Sequence, residues 1–152
     1  MLPSRPLHDL SASEWRMLAT VVPVIAAVRV ALTLMPFKQL VARLQALADL
    51  LRSKQKADKR YCRRLAWGVN AIGKRVLGSR PCLTQALVVQ FMLWRRGIDT
   101  ELRIGVDKSE GELIAHAWVM LDGKVLIGGE LSETKYQVLP HLQKKIHEHN
   151  GA

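Results

Sequence analysis

The sequence predicts an α+β domain, with N-terminal helices and a further helix carrying a cysteine packed on an antiparallel sheet. Three observations predict it. Apolar residues recur at steps of three and four as far as the segment ending at Arg96. Beyond Gly97 the repeat changes to alternation, and Asp122-Gly123 separates two alternating runs, a dipeptide that suits a two-residue hairpin turn. Strands therefore follow the helices instead of alternating with them, which favours a segregated α+β layout over parallel βαβ units.

Each element has its own local signal. Ser11-Ala-Ser-Glu14 reads as a capping box, since Ser and Glu three apart satisfy each other's backbone donors. The helix it opens runs toward Pro36. Leu40, Leu44, Leu47 and Leu51 give a second helix one apolar face. A basic stretch over 52–64 leads into a third helix with Leu65, Val69, Ile72 and Val76, which Gly78-Ser79-Arg80-Pro81 breaks. The fourth helix, 81–96, starts with Pro81 at its first helical position, where the missing N–H costs nothing. Leu83, Leu87, Val88, Phe91 and Met92 form its broad apolar face. Arg95 and Arg96 complement its negative end, and Gly97 supplies a left-handed terminator. Strands are expected over 100–106, 113–121 and 124–127, then a short one over 136–139 and a helical tail. The whole chain, 1–152, reads as one domain, with a helical part over 1–78 and the cysteine-bearing helix and sheet over 79–152.

Composition narrows the function classes. The 152 residues are 49% hydrophobic and 24% charged, which is globular and not disordered. A formal charge of +10 favours an acidic partner surface, and the 52–64 stretch is either a docking surface or a solvated helix face. No nucleic-acid motif accompanies the charge, so nucleic acid is not an expected partner. The two cysteines, Cys62 and Cys82, form no disulfide framework, which points to a reducing, cytoplasmic compartment. The first ten residues lack a signal-peptide pattern. Residues 17–35 are strongly apolar but interrupted by Pro23 and Arg29. A charge at that depth disfavours a span, which ranks behind a buried or partner-facing helix and a membrane-surface contact.

Two residues carry the chemistry. Cys82 sits in the first turn of its helix, where unpaired N–H groups and the positive dipole end stabilise a thiolate. The Cys82 N–H is also the natural oxyanion donor. His116 lies on the strand Ala115-His-Ala-Trp-Val119. A helix cysteine is commonly a small buried hydrophobe and a strand histidine commonly structural. A sheet packed on the cysteine helix would instead join them as nucleophile and base.

Cys82-Leu-Thr-Gln-Ala-Leu, Leu93-Trp-Arg-Arg-Gly97, Arg103-Ile-Gly-Val106, Ala115-His-Ala-Trp-Val119, Asp122-Gly123 and Val125-Leu-Ile-Gly-Gly129 together resemble the transglutaminase-like leader peptidase (B protein) of lasso peptide biosynthesis. The resemblance implies a transglutaminase- and papain-like fold, no cofactor or metal, and a cysteine peptidase acting through Cys82 and His116. Its substrate would be the leader of a precursor peptide, and the freed amine would pass to an ATP-dependent lasso cyclase. The chain resembles the split, protease-only form, which implies a separate leader-binding protein as partner. A non-catalytic precursor-binding role is the alternative.

In the pattern that the resemblance implies, an Asp follows the histidine by about twelve residues, and here that position is Gly128. Asp122, at the hairpin tip, is roughly 20 Å from His116 at about 3.3 Å per residue. With a two-residue turn His116 faces Gly129, so Glu130 is the preferred third member, with a backbone carbonyl or no third group as alternatives. His141, His147 and His149 match no closed metal site. Cys62 reads as a half-buried structural thiol, Trp118 as core or pocket wall, and Gln85 as an ordinary helix-surface residue.

Overall fold

The computed structural model describes residues 11–54, 57–76, 81–107, 113–129 and 135–139. Lys56, the 78–80 break, the turn at 108–111, Glu130 and the tail with His141, His147 and His149 lie outside the described residues.

Four helices precede four strands: α1 Ala12–Leu34, α2 Phe37–Leu50, α3 Lys59–Val76, α4 Cys82–Trp94, β1 Glu101–Asp107, β2 Ile114–Leu121, β3 Lys124–Ile127 and β4 Gln137–Val138. The strands form one antiparallel sheet in the order β3-β2-β1-β4. This is the α+β class that the change of period predicts.

The local signals act as chemistry requires. Ser11 accepts from the Glu14 N–H at 3.3 Å while Glu14 accepts from the Ser11 N–H at 2.8 Å, the two halves of a capping box. At the end of α4, Ile98 N–H bonds Leu93 C=O and Gly97 N–H bonds Trp94 C=O, with Gly97 at φ +68°. That pair of bonds is a Schellman closure, which needs a left-handed residue at the glycine position. Pro81 departs by one residue from its expected place: it is the N-cap and Cys82 the first helical residue, with Gln85 N–H closing the turn on Pro81 C=O at 2.9 Å.

Helix α4 is the centre of the molecule. It packs on all three other helices and on β1, β2 and β3, and every side chain from Thr84 to Leu93 is buried. The expected one-sided apolar face is therefore a helix enclosed on all sides, as a helix without a strong polar stripe must be. Gln85, expected on the surface, is buried with the rest because α3 and α4 pack against each other. Gln90 is accommodated by donating to Thr100 C=O at 3.2 Å. Around α4, Val21, Ile25 and Val28 of α1, Leu40, Val41 and Leu44 of α2, and Leu65 and Val69 of α3 complete the core.

One helix face differs from its sequence reading. Leu47 and Leu51 repeat in step with Leu40 and Leu44, yet they are 42% and 45% exposed. They line an apolar groove of about 410 Å³ between α1, α2 and the last turn of α4, together with Ala27, Leu44, Phe91 and Arg95.

Two cations of the basic stretch pair with carboxylates of other elements, and its Tyr61 carries a third cation from the end of α4. Arg64 pairs with Glu14 at 3.6 Å and Lys59 with Asp122 at 3.6 Å. The Arg96 guanidinium lies over the Tyr61 ring, 3.9 Å from its centroid, a geometry that favours a cation over the aromatic face.

Candidate active site

Packing of α4 on the sheet brings Cys82, its first residue, against His116 of β2. The thiol and imidazole lie close enough for each to be the strongest side-chain influence on the other's pKa. Burial, the largest influence on the half-buried thiol, pushes its pKa up. The His116 hydrogen bond, the backbone N–H groups of Ala117 and Leu83 and the imidazole charge outweigh it, and the thiol stands below its ordinary value. Pro81 offers no side chain to cap α4, so among the described residues no side chain caps the first-turn donors beside Cys82. His116 moves the opposite way. The bond to Cys82 raises it most, burial opposes, and the Gly128 carbonyl and the sulfur charge raise it further, while Lys135 lowers it. A thiol pulled down beside an imidazole pushed up is the electrostatic signature of a pair poised toward thiolate and imidazolium.

The imidazole tautomer follows from its second contact. His116 Nε2 lies 2.6 Å from Gly128 O. A carbonyl only accepts, so Nε2 carries the proton and donates, leaving Nδ1 as the nitrogen for the thiol. Gly128 therefore supplies main chain where the resemblance pattern has a carboxylate. The ring nitrogen that Glu130 was expected to orient is taken up by this carbonyl. Asp122 is at the hairpin tip, paired with Lys59 and away from the imidazole.

The hairpin register is irregular just before Gly128. Leu121 faces Lys124 and Met120 faces Val125, as a two-residue turn requires, but Val119 then faces Ile127. Leu126 is an extra residue, a bulge that advances β3 by one. Counted past that bulge, Gly128 falls opposite Trp118, where the regular register would set Ile127. Bulges also re-aim the chain, and Gly128 leaves β3 at φ +115°.

Aromatic rings hold the imidazole from the side. Tyr136 stacks on it with centroids 4.7 Å apart and planes 27° apart, and Trp118 lies 6.1 Å away at 20°. Trp118 is fully buried, a wall of the site. Gly105, paired with His116 across the sheet, makes room for both rings: a Cβ there would sit 2.9 Å from Trp118 Cη2 and 2.9 Å from Tyr136 Cβ. Lys135 reaches over the Tyr136 ring at 5.8 Å and pairs with Asp107 at 3.8 Å. Sequence reasoning passed over Tyr136 and Gly105, and it held a backbone carbonyl as an alternative partner of His116 without placing it at Gly128. A glycine inside an alternating strand signals a close approach, so Gly105 alone carried a readable sign.

The family model for the Transglutaminase-like superfamily matches residues 24–141, a range that contains Cys82, His116, Gly128 and Tyr136. The chain belongs to the transglutaminase-like superfamily. Its α+β architecture, with a helix packed on an antiparallel sheet, is consistent with that fold. Cysteine peptidases are common in the superfamily, and a cysteine peptidase-type function fits a member whose thiol and imidazole stand side by side. No curated protein and no solved structure matches the chain.

Proposed function

We propose that this transglutaminase-like protein is a cysteine peptidase that removes the leader from a lasso peptide precursor. The observation that supports this reading is the juxtaposition of Cys82 at the start of α4 with His116 of β2, with the imidazole tautomer set by donation from Nε2 to Gly128 O. Cys82 Sγ attacks the carbonyl at the end of the leader, and the oxyanion forms beside the first-turn N–H groups of α4. His116, protonated at Nδ1 by the thiol, passes that proton to the departing amine. Water then adds to the thioester, giving up a proton to Nδ1, and the leader carboxylate departs from sulfur. The amine so freed is the group that an ATP-dependent cyclase joins to an acidic side chain.

In this reading a separate leader-binding protein presents the substrate, and Lys59 and Arg60, both exposed at the start of α3, contribute to its docking surface. The test is precursor incubated with the full chain, with and without the leader-binding protein, followed by mass measurement. Leader loss that disappears in Cys82→Ala and in His116→Ala supports the reading. Cleavage retained by Cys82→Ala overturns the nucleophile assignment. Precursor binding with no cleavage under either condition replaces the peptidase by the precursor-binding role.

A further inference from the structure

Helix α1 buries too little of itself for its composition. It is 23 residues long and apolar enough to cross a membrane, yet only 22% of its most apolar stretch is buried. Its inner face, Leu18, Val21, Ile25 and Val28, is fully committed to the core. Drawing α1 out to span a bilayer would strip those four side chains from the domain, so the helix remains docked.

The outer face has a definite layout. At about 100° per residue, Trp15, Val22, Ala26 and Thr33 fall on one line. Val30 sits to one side, and the line is bracketed by Arg29 and Arg16, about 140° apart. All of these residues are exposed, Val22 by 48% and Val30 by 55%. The two outward threonines present no unpaired hydroxyl hydrogen: Thr20 donates to Met17 O and Thr33 to Val30 O, each at 2.7 Å. Across Pro23 and Ala27 the apolar surface continues into the groove lined by Leu47, Leu51 and Phe91, which also carries Arg43 and Arg95. Over α1 and α2 the only carboxylates are Glu14, buried and paired with Arg64, and Asp49.

We infer that the outer face of α1, with the adjoining leucines of α2, lies in the surface of an anionic lipid bilayer. Apolar side chains flanked by arginines whose stems reach the headgroup level are what an interfacial helix needs. Internally bonded threonines add no polar group that lipid would leave unpaired, and Trp15 near the helix start suits the aromatic belt. The net charge of +10 supplies the long-range attraction. This inference stands apart from the peptidase reading, and a Cys82→Ala chain binds equally well.

The test is cosedimentation of the full chain with phosphatidylglycerol–phosphatidylcholine vesicles against pure phosphatidylcholine, at low and high salt. Binding to the anionic vesicles is expected, with a blue shift of tryptophan fluorescence that Trp15→Phe diminishes. Val22→Asp combined with Val30→Asp, and separately Arg16→Glu combined with Arg29→Glu, should each weaken it at least about tenfold. The substituted side chains are exposed, and unchanged circular dichroism checks the fold. Absence of binding to either vesicle overturns the inference, as does binding indifferent to the two aspartates. Self-association abolished by the two aspartates, without vesicle binding, assigns the face to a second copy and equally overturns it.

Discussion

Replacing Gly128 by alanine should damage the fold and the thiol together. The residue holds φ at +115°, and a Cβ built on it overlaps Trp118 Cβ and lies 2.9 Å from Trp118 Cα and 3.1 Å from Ala117 O. Those neighbours are backbone or the first side-chain atom, so no rotamer change relieves the overlap. A side chain at such a φ costs about 1–3 kcal/mol, and overpacking adds about 1–3 kcal/mol. The sum, about 2–6 kcal/mol, lowers Tm by roughly 5–20 °C in a domain of this size. Relief comes from moving Gly128, whose carbonyl then leaves the 2.6 Å bond to His116 Nε2. That bond raises the imidazole pKa, so its loss lets His116 titrate lower and weakens its hold on the thiolate. Thermal unfolding by circular dichroism measures the first effect, and the iodoacetamide rate of Cys82 near neutral pH the second. A Gly128→Ala protein with wild-type Tm and alkylation rate would refute the reasoning. The same geometry predicts that Gly128→Asp creates no third carboxylate, since its Cβ meets the same atoms.

Other expectations follow from the same site. In His116→Ala, burial keeps pushing the Cys82 thiol up while the bond that lowered it is gone. The alkylation midpoint therefore moves to higher pH and the neutral rate falls; a midpoint that stays put, measured as rate against pH, contradicts this. Tyr136→Leu removes a stack worth about 0.5–1.5 kcal/mol and should shift the His116 ring resonances downfield, whereas Tyr136→Phe leaves them near their original positions. Cys62 is 2% exposed and burial pushes its thiol up, so a Cys82→Ser protein should take up no iodoacetamide near neutral pH. Labelling of Cys62 in intact-mass spectra would show that this side of α3 opens.

Features closed within a few residues were legible in the sequence. The capping box at Ser11, the Schellman closure at Gly97 and the hairpin at Asp122-Gly123 each depend on hydrogen bonds and dihedrals that neighbouring residues decide. Cys82 at a helix start and His116 on a strand were readable as residue types in local settings, and tertiary packing of α4 on β2 joined them. The rest was decided by partners distant in sequence. Leu47 and Leu51 have the spacing of core residues, but α1 and α4 leave a groove beside them. Gln85 has a polar side chain, but the enclosure of α4 buries it. The bulge at Leu126 changes no residue type, so nothing in the alternation of β3 shows the one-residue advance that sets Gly128 against Trp118. Tyr136 reaches His116 only because β4 joins the far edge of β1.

Helix α4 sets a distance as well as a position. Cys82 is its first residue, and Phe91 and Arg95 at its other end line the groove beside α1. Thirteen steps of about 1.5 Å put roughly 20 Å between the sulfur and that end. A chain fixed at the groove end needs about six extended residues to bring a peptide bond to the sulfur, at about 3.3 Å each. With the groove side of the molecule on a bilayer, as inferred above, the buried helix holds the sulfur about 20 Å along its axis from that surface.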